Sequence, residues 1–129
     1  MDGFDQKSLN WDDDPNKVAR AKIIEAEIIR HLVLSKEMTG FEYGCGTGLL
    51  SFNLLPYLKK ITLVDNSEGM LSVLRRKIEQ NDLHNMFPIN IDLLEDAFPN
   101  ENYDFIYTLM ALHHIVLFSI FLMIGQKGK

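Results

Sequence analysis

Three glycines at alternate positions, Gly44, Gly46 and Gly48, constrain the fold of this 129-residue chain more than any other feature. They follow a short strand-like segment at 41–43 and precede an apolar segment at 49–55 that predicts a helix. Glycine allows the backbone to turn tightly and allows a ligand to approach it closely. The N-terminus of a helix also offers N–H groups and the positive end of a dipole. The pattern therefore predicts a strand, a tight turn and a helix, with a ligand at the turn. A plain turn is the alternative interpretation.

Strand-like and helix-like segments alternate along the rest of the chain. Apolar residues at spacings of three and four predict an amphipathic helix over 15–34, which Asp14 caps and Pro15 opens. Later segments predict strands and a helix in the order 61–64 (strand), 67–81 (helix), 87–91 (strand) and 103–109 (strand). Alternating strands and helices favour right-handed crossovers and a parallel sheet. We expect an α/β, Rossmann-like, open and mainly parallel sheet with helices on both faces.

Composition and charge narrow the functional classes. Hydrophobic residues make up 47% of the chain and charged residues 24%, which is typical of a globular domain. We expect one domain over 1–129, with an acidic N-terminal arm at 1–14 and an atypical apolar tail at 116–129. A net charge of −5 argues against a protein that mainly grips nucleic-acid phosphates.

Neither a secretory signal nor a membrane span is predicted. The N-terminal residues are acidic and polar, so we expect a cytoplasmic protein. The apolar run within 115–125 is about ten residues long, whereas a spanning helix needs about 18–20. The single cysteine, Cys45, excludes an internal disulfide and a multi-cysteine zinc site.

Two carboxylates follow predicted strands. Asp65 comes after the second strand and Asp92 after the third. The carboxyl ends of parallel strands are where ligands bind in open α/β sheets. Asp65 can accept hydrogen bonds from ribose hydroxyls, and Asp92 can accept from an adenine amino group between the apolar walls Met70 and Leu93. A helix N-cap is the alternative role for Asp65, and an N-cap or loop carboxylate for Asp92.

The run over 41–74 resembles the class I S-adenosylmethionine-dependent methyltransferases, and is most similar to the small-molecule type that includes the quinone-biosynthesis enzymes. The E-x-G-C-G-T-G motif spans 42–48. Asp65 matches the acidic residue after the second strand, and Ser67 and Met70 match an S-x-x-M pattern. The N-I-D-L segment at 90–93 and the L-H-H-I segment at 112–115 also match.

The resemblance implies S-adenosyl-L-methionine as cofactor and a small molecule as substrate. It implies that the turn lines the methionine part, that Asp65 holds the ribose, that Asn66, Met70, Asp92 and Leu93 border the adenine, and that 108–110 lie near the sulfonium. The full set of implied cofactor contacts is Glu42, Gly44, Cys45, Gly46, Thr47, Gly48, Asp65, Asn66, Met70, Asp92, Leu93 and Leu109.

No catalytic residue is assigned with the same specificity. His113 and His114 are candidates for a general base, because histidine titrates nearest neutral pH. A wall of the pocket or simple loop packing is the alternative for both. No metal site is expected, since no further ligand lies near them in the sequence.

The chain departs from this family after its fourth strand. Family members have seven strands, so the resemblance implies a truncated sheet of about four, and the tail does not resemble the amphipathic helix expected there. We expect the edge of the fourth strand to pair with the tail or to form a homodimer. Two other functions stay open: an inactive module that binds S-adenosylmethionine or a partner, and a nicotinamide oxidoreductase fragment. The glycine spacing disfavours the second, because a dinucleotide fingerprint reads G-x-G-x-x-G.

Overall fold

The computed structural model describes residues 14–92, 103–109, 111–112, 115–116 and 122–123. Helices and strands alternate as predicted. In chain order the elements are α1 (Pro15–His31), β1 (Thr39–Tyr43), α2 (Leu49–Leu54) with a 3-10 turn (Leu55–Tyr57), β2 (Lys60–Asp65), α3 (Glu68–Gln80), β3 (Met86–Asn90), β4 (Phe105–Thr108), β5 (Ala111–Leu112), β6 (Ile115–Val116) and β7 (Leu122–Met123).

The main sheet has five strands in the order β3-β2-β1-β4-β7. The first four are mutually parallel, and β5 and β6 form a separate antiparallel pair. The register places Glu42 of β1 beside Leu63 of β2 and Tyr107 of β4. This arrangement confirms the predicted Rossmann-like, mainly parallel sheet with four parallel strands.

The tail supplies the neighbour of β4. Strand β7 pairs with β4 in antiparallel orientation, with Phe105 beside Met123 and Ile106 beside Leu122. An unpaired strand edge is a template for pairing with another chain, and here the chain's own tail covers it over these two residues. The expectation that the tail pairs with β4 is confirmed, and the expected homodimer through an exposed β4 edge is not supported.

The three helices pack on one face of the sheet. Buried side chains from α1, α2 and α3 form one cluster with inward residues of the strands, and its members include Ala21, Ile24, Ile28, Leu50, Leu54, Ile61, Leu63, Leu71, Leu74, Phe105 and Tyr107. A smaller cluster on the other face centres on Phe41, Val64 and Tyr103. The three described helices therefore cover one face of the sheet.

The helix ends differ slightly from the sequence prediction. The Asp14 carboxylate accepts from Asn16 N–H at 2.9 Å and caps α1, as expected. The helix ends at His31 and not at residue 34, because Leu32 is extended (φ −123°, ψ 141°). Val33 is 92% exposed, so a further helical turn would gain no burial there. In α3, Ser67 is the cap and accepts from Met70 N–H at 3.3 Å.

No helix among the described residues is long and apolar enough to cross a membrane.

Replacing Gly48 with alanine should destabilise the chain by about 2 kcal/mol, because an L side chain pays about 1–2 kcal/mol for a left-handed backbone and crowding adds to this. Gly48 has φ +85°, and an added Cβ would lie 2.8 Å from Leu74 Cδ1. Urea unfolding measures the change in the free energy of unfolding.

Gly69→Ala is the matched control for this prediction, because Gly69 lies in α3 and is not among the positive-φ glycines. Alanine favours helices, so this variant should be as stable as the parent or slightly more stable. Equal losses in the two variants would contradict the account of Gly48.

Candidate functional site

The glycine turn connects the carboxyl end of β1 to the start of α2. Gly44, Gly46 and Gly48 have φ of +67°, +57° and +85°, a region that L side chains rarely adopt. Cys45 N–H donates to the Val64 carbonyl at 3.0 Å, and Gly48 N–H donates to the Cys45 carbonyl at 2.9 Å. The first bond links the turn to β2, and the second joins two residues within the turn.

Asp65 ties the turn to the end of β2. Its Oδ2 accepts from Gly46 N–H at 2.8 Å, and its Oδ1 accepts from Ser67 N–H at 2.9 Å. The helix cap of α3 is Ser67, so Asp65 is not itself the N-cap. An ionised carboxylate offers about four acceptor positions. Two are used here, and the partly exposed carboxylate can accept further bonds from a ligand.

Glu42 lies buried in the middle of the sheet, 1% exposed. Its Oε1 accepts from Ser51 Oγ at 2.5 Å. The Ser51 hydroxyl also lies 2.6 Å from Tyr107 Oη. These three side chains join β1, α2 and β4 in one hydrogen-bonded group on the helix-covered side of the sheet.

Burial dominates the electrostatics of this group. It raises the pKa of Glu42 to about 8; the Ser51 hydrogen bond lowers this pKa, the Asp65 charge raises it, and the Lys77 charge lowers it. Burial and the neighbouring Glu42 also raise the pKa of Tyr107 well above its usual range. Glu42 is therefore held mainly as the neutral acid at pH 7.

Cys45 is a packing residue of the turn. It is 6% exposed and belongs to the main apolar cluster. Burial, followed by the Glu42 and Asp65 charges, raises the pKa of its thiol well above the ordinary value. A reactive cysteine needs a lowered pKa, so this thiol is poorly suited to act as a nucleophile.

Most of the other predicted site residues follow the carboxyl ends of β1 to β4. Thr47 is buried in the turn, Asn66 is exposed after β2, and Asp92 is partly buried after β3. Met70, on the first turn of α3, is 2% exposed. Leu109 follows β4 and packs against the main apolar cluster. Leu93, His113 and His114 lie outside the described residues.

The sequence interpretation missed three side chains near the turn, namely Ser51, Lys77 and Tyr107. Ser51 interrupts an otherwise apolar helix face, which was a signal that its hydroxyl has a buried partner. Tyr107 could be found only from the strand register, and Lys77 only from the packing of α3. Among the described residues, no group of three or more His, Cys, Asp or Glu side chains could hold a metal ion.

Comparison with known proteins identifies the family. The family model for a methyltransferase domain matches residues 41–120, which is more than half of the chain. The chain belongs to this methyltransferase family. Over 86 residues it is 31% identical to an uncharacterized methyltransferase of Schizosaccharomyces pombe, a match that covers 60% of this chain and 30% of that protein.

Solved structures share the fold of this methyltransferase domain. A candidate S-adenosyl-L-methionine-dependent methyltransferase from Methanococcus maripaludis has a TM-score of 0.69 at 22% identity, over 84% of this chain and 51% of that one. A coclaurine N-methyltransferase bound to N-methylheliamine and SAH has a TM-score of 0.63 at 20% identity, over 76% of this chain and 29% of that one. The chain thus spans about half or less of each of these relatives.

The chain is a class I domain, and the cofactor of this class is S-adenosylmethionine. The described residues fit that group. The turn has three positive-φ glycines, which allow close approach to its backbone, and Asp65 beside it has acceptor capacity for hydroxyl groups.

The buried acid Glu42 should make folding stability depend on pH. An unfolded glutamate ionises near 4.5, whereas the folded pKa is about 8. The contribution of Glu42 to the free energy of unfolding should therefore be fully present below about pH 4.5, fall as pH rises to about 8, and level off above it. The non-titrating variant Glu42→Gln should lose this fall, which we expect to be at least about 1 kcal/mol between pH 5 and pH 8.5.

Urea unfolding at both pH values measures the effect, with Glu37→Gln, a change at an exposed glutamate, as the matched control. Glu37→Gln should keep the parent's pH dependence. A Glu42→Gln variant with the same pH dependence as the parent would show that Glu42 does not carry it.

Proposed function

We propose that this domain binds S-adenosylmethionine at the glycine turn and Asp65, as part of an enzyme that transfers the methyl group to a small molecule. The observation that carries the proposal is the 2.8 Å bond between Asp65 Oδ2 and Gly46 N–H. It brings the two most specific sequence signals together at the carboxyl ends of β1 and β2, where ligands bind in open α/β sheets.

Each part of the cofactor would have its own set of residues. The backbone of Gly44, Cys45, Gly46 and Gly48 would line the methionine part, with Glu42 and Thr47 supporting it. Asp65 would accept from the ribose hydroxyls. Asn66, Met70, Asp92 and Leu93 would border the adenine, and Leu109 would lie near the sulfonium.

The bound cofactor would supply an electrophilic methyl group on its sulfonium, with S-adenosylhomocysteine as the leaving group when the methyl–sulfur bond breaks. The domain's own residues contribute orientation, which supplies much of the rate of such displacements. The turn and Asp65 would fix the cofactor from two sides. His113 and His114 stay candidates for the base that removes a substrate proton.

The net charge of −5 supports a small-molecule substrate over a nucleic acid. A cytoplasmic location belongs to the same proposal. The competing function, cofactor binding without catalysis, differs from this proposal only in methyl transfer. A screen with cofactor labelled on its methyl group separates the two, since only the enzyme transfers label.

Calorimetry with S-adenosylmethionine and S-adenosylhomocysteine tests the site. We expect micromolar binding, and we expect Asp65→Ala to weaken it by about 1.5–3 kcal/mol, the range for a hydrogen bond to a charged group. This corresponds to roughly a 10- to 150-fold larger Kd. A nicotinamide dinucleotide should not compete with S-adenosylmethionine for the site. Competition would support the oxidoreductase alternative.

Asp104→Ala is the matched control. The Asp104 carboxylate also holds a backbone N–H, that of Thr39, at 2.7 Å, but at the amino ends of β1 and β4. Its loss should destabilise the fold without changing the affinity for the cofactor. If Asp65→Ala binds as tightly as the parent, or if Asp104→Ala loses as much affinity, the assignment of Asp65 is wrong.

A further inference from the structure

The glycine turn is held from α3 as well as from β2. Lys77, in the last turn of α3, donates from Nζ to the Thr47 carbonyl oxygen at 2.8 Å. Thr47 is fully buried. A buried carbonyl that loses its partner pays its full desolvation cost, so this bond matters more than an exposed lysine contact would.

The Lys77 bond fixes a particular peptide group. The Thr47 carbonyl and the Gly48 N–H belong to the same planar unit. Gly48 N–H donates to the Cys45 carbonyl at 2.9 Å, so the peptide is hydrogen-bonded at both ends. Rotation of this peptide out of its present orientation would break both bonds.

The ammonium group of Lys77 has a second favourable contact. Nζ lies 4.6 Å from the centroid of the Phe52 ring on α2, within the range of a cation–π interaction. The side chain thus bridges α3, the turn and Phe52 of α2. Its positive charge also lowers the pKa of Glu42, which burial raises.

Hydrogen bonds from outside the turn are important because its three glycines leave the backbone free to adopt other conformations. Gly44, Gly46 and Gly48 each have a positive φ, and glycine populates many other conformations as readily. Asp65 selects the orientation of Gly46 N–H, and Lys77 selects that of the Thr47 carbonyl. Both side chains come from the single β2–α3 unit, which therefore sets the shape of the turn.

We propose that Lys77 is a positioning residue of the cofactor site: by holding the Thr47 carbonyl, it keeps the glycine turn in the conformation that binds S-adenosylmethionine. This inference rests on the proposed function of the turn. A purely structural role would affect folding stability alone, whereas a positioning role also changes the affinity of the folded protein.

The test compares three variants of the full chain. Lys77→Met keeps an unbranched side chain that is one atom shorter and removes the charge and the donors. Lys77→Arg keeps the charge and the donors. Arg76→Met removes a charge from an exposed neighbour on the same helix. S-adenosylmethionine binding is measured by calorimetry at a temperature where urea titration shows every variant to be folded.

We expect Lys77→Met to raise the Kd about tenfold, the scale of one bond to a charged group. Lys77→Arg should restore the affinity to within about threefold of the parent, since guanidinium donors can reach the same carbonyl. Arg76→Met should leave the Kd unchanged. The NMR amide signals of Gly46 and Gly48 should shift in Lys77→Met and stay in place in Arg76→Met.

Two results overturn the inference, and they are distinguishable. Parent-like affinity in folded Lys77→Met, with Asp65→Ala weakened, would leave the cofactor site intact and reduce Lys77 to a structural role. Absence of binding by the parent chain would overturn the proposed function itself, and the inference with it.

Discussion

Asp65 Oδ2 accepts a hydrogen bond from Gly46 N–H, and the geometry of the candidate site depends on this bond. The carboxylate ends β2, and its other oxygen accepts from Ser67 N–H at the start of α3. One side chain therefore connects a strand, the helix that follows it and the glycine turn of the neighbouring strand. A turn with three positive-φ glycines needs such an anchor, because its own backbone does not select one conformation.

Other residues around the glycine turn also hold it in place. Beneath the turn, Glu42, Ser51 and Tyr107 form a buried hydrogen-bonded group that links β1, α2 and β4. Behind it, Lys77 holds the Thr47 carbonyl. Leu74 packs closely against Gly48, so that a Cβ there would lie 2.8 Å from Leu74 Cδ1 and this side chain would have to move. Hydrogen bonds from β2 and α3, together with packing from α3, thus support the turn, a degree of support that suits a preorganised binding site.

The sequence predicted the elements and the glycine turn where local chemistry decides them. Asp14 and Pro15 mark the start of α1, the β-branched run marks β2, and the glycine spacing marks the turn. Contacts between residues far apart in the sequence were harder to predict from it. That Tyr107 lies beside Glu42 follows only from the register of β1 and β4. The Lys77–Thr47 contact joins residues 30 positions apart and depends on how α3 packs. The pairing of β7 with β4 was expected only as one of two alternatives.

The central claim is that the carboxyl ends of β1 and β2 bind S-adenosylmethionine. Chemical-shift mapping of the isotopically labelled chain with S-adenosylhomocysteine tests this most directly, because it reports where the ligand binds as well as whether it binds. The account predicts saturable shifts at the amides of Gly44, Gly46 and Asn66, and none at Thr39 and Asp104 on the opposite edge of the sheet. Shifts confined to that opposite edge, or no shifts in a folded chain, would contradict it.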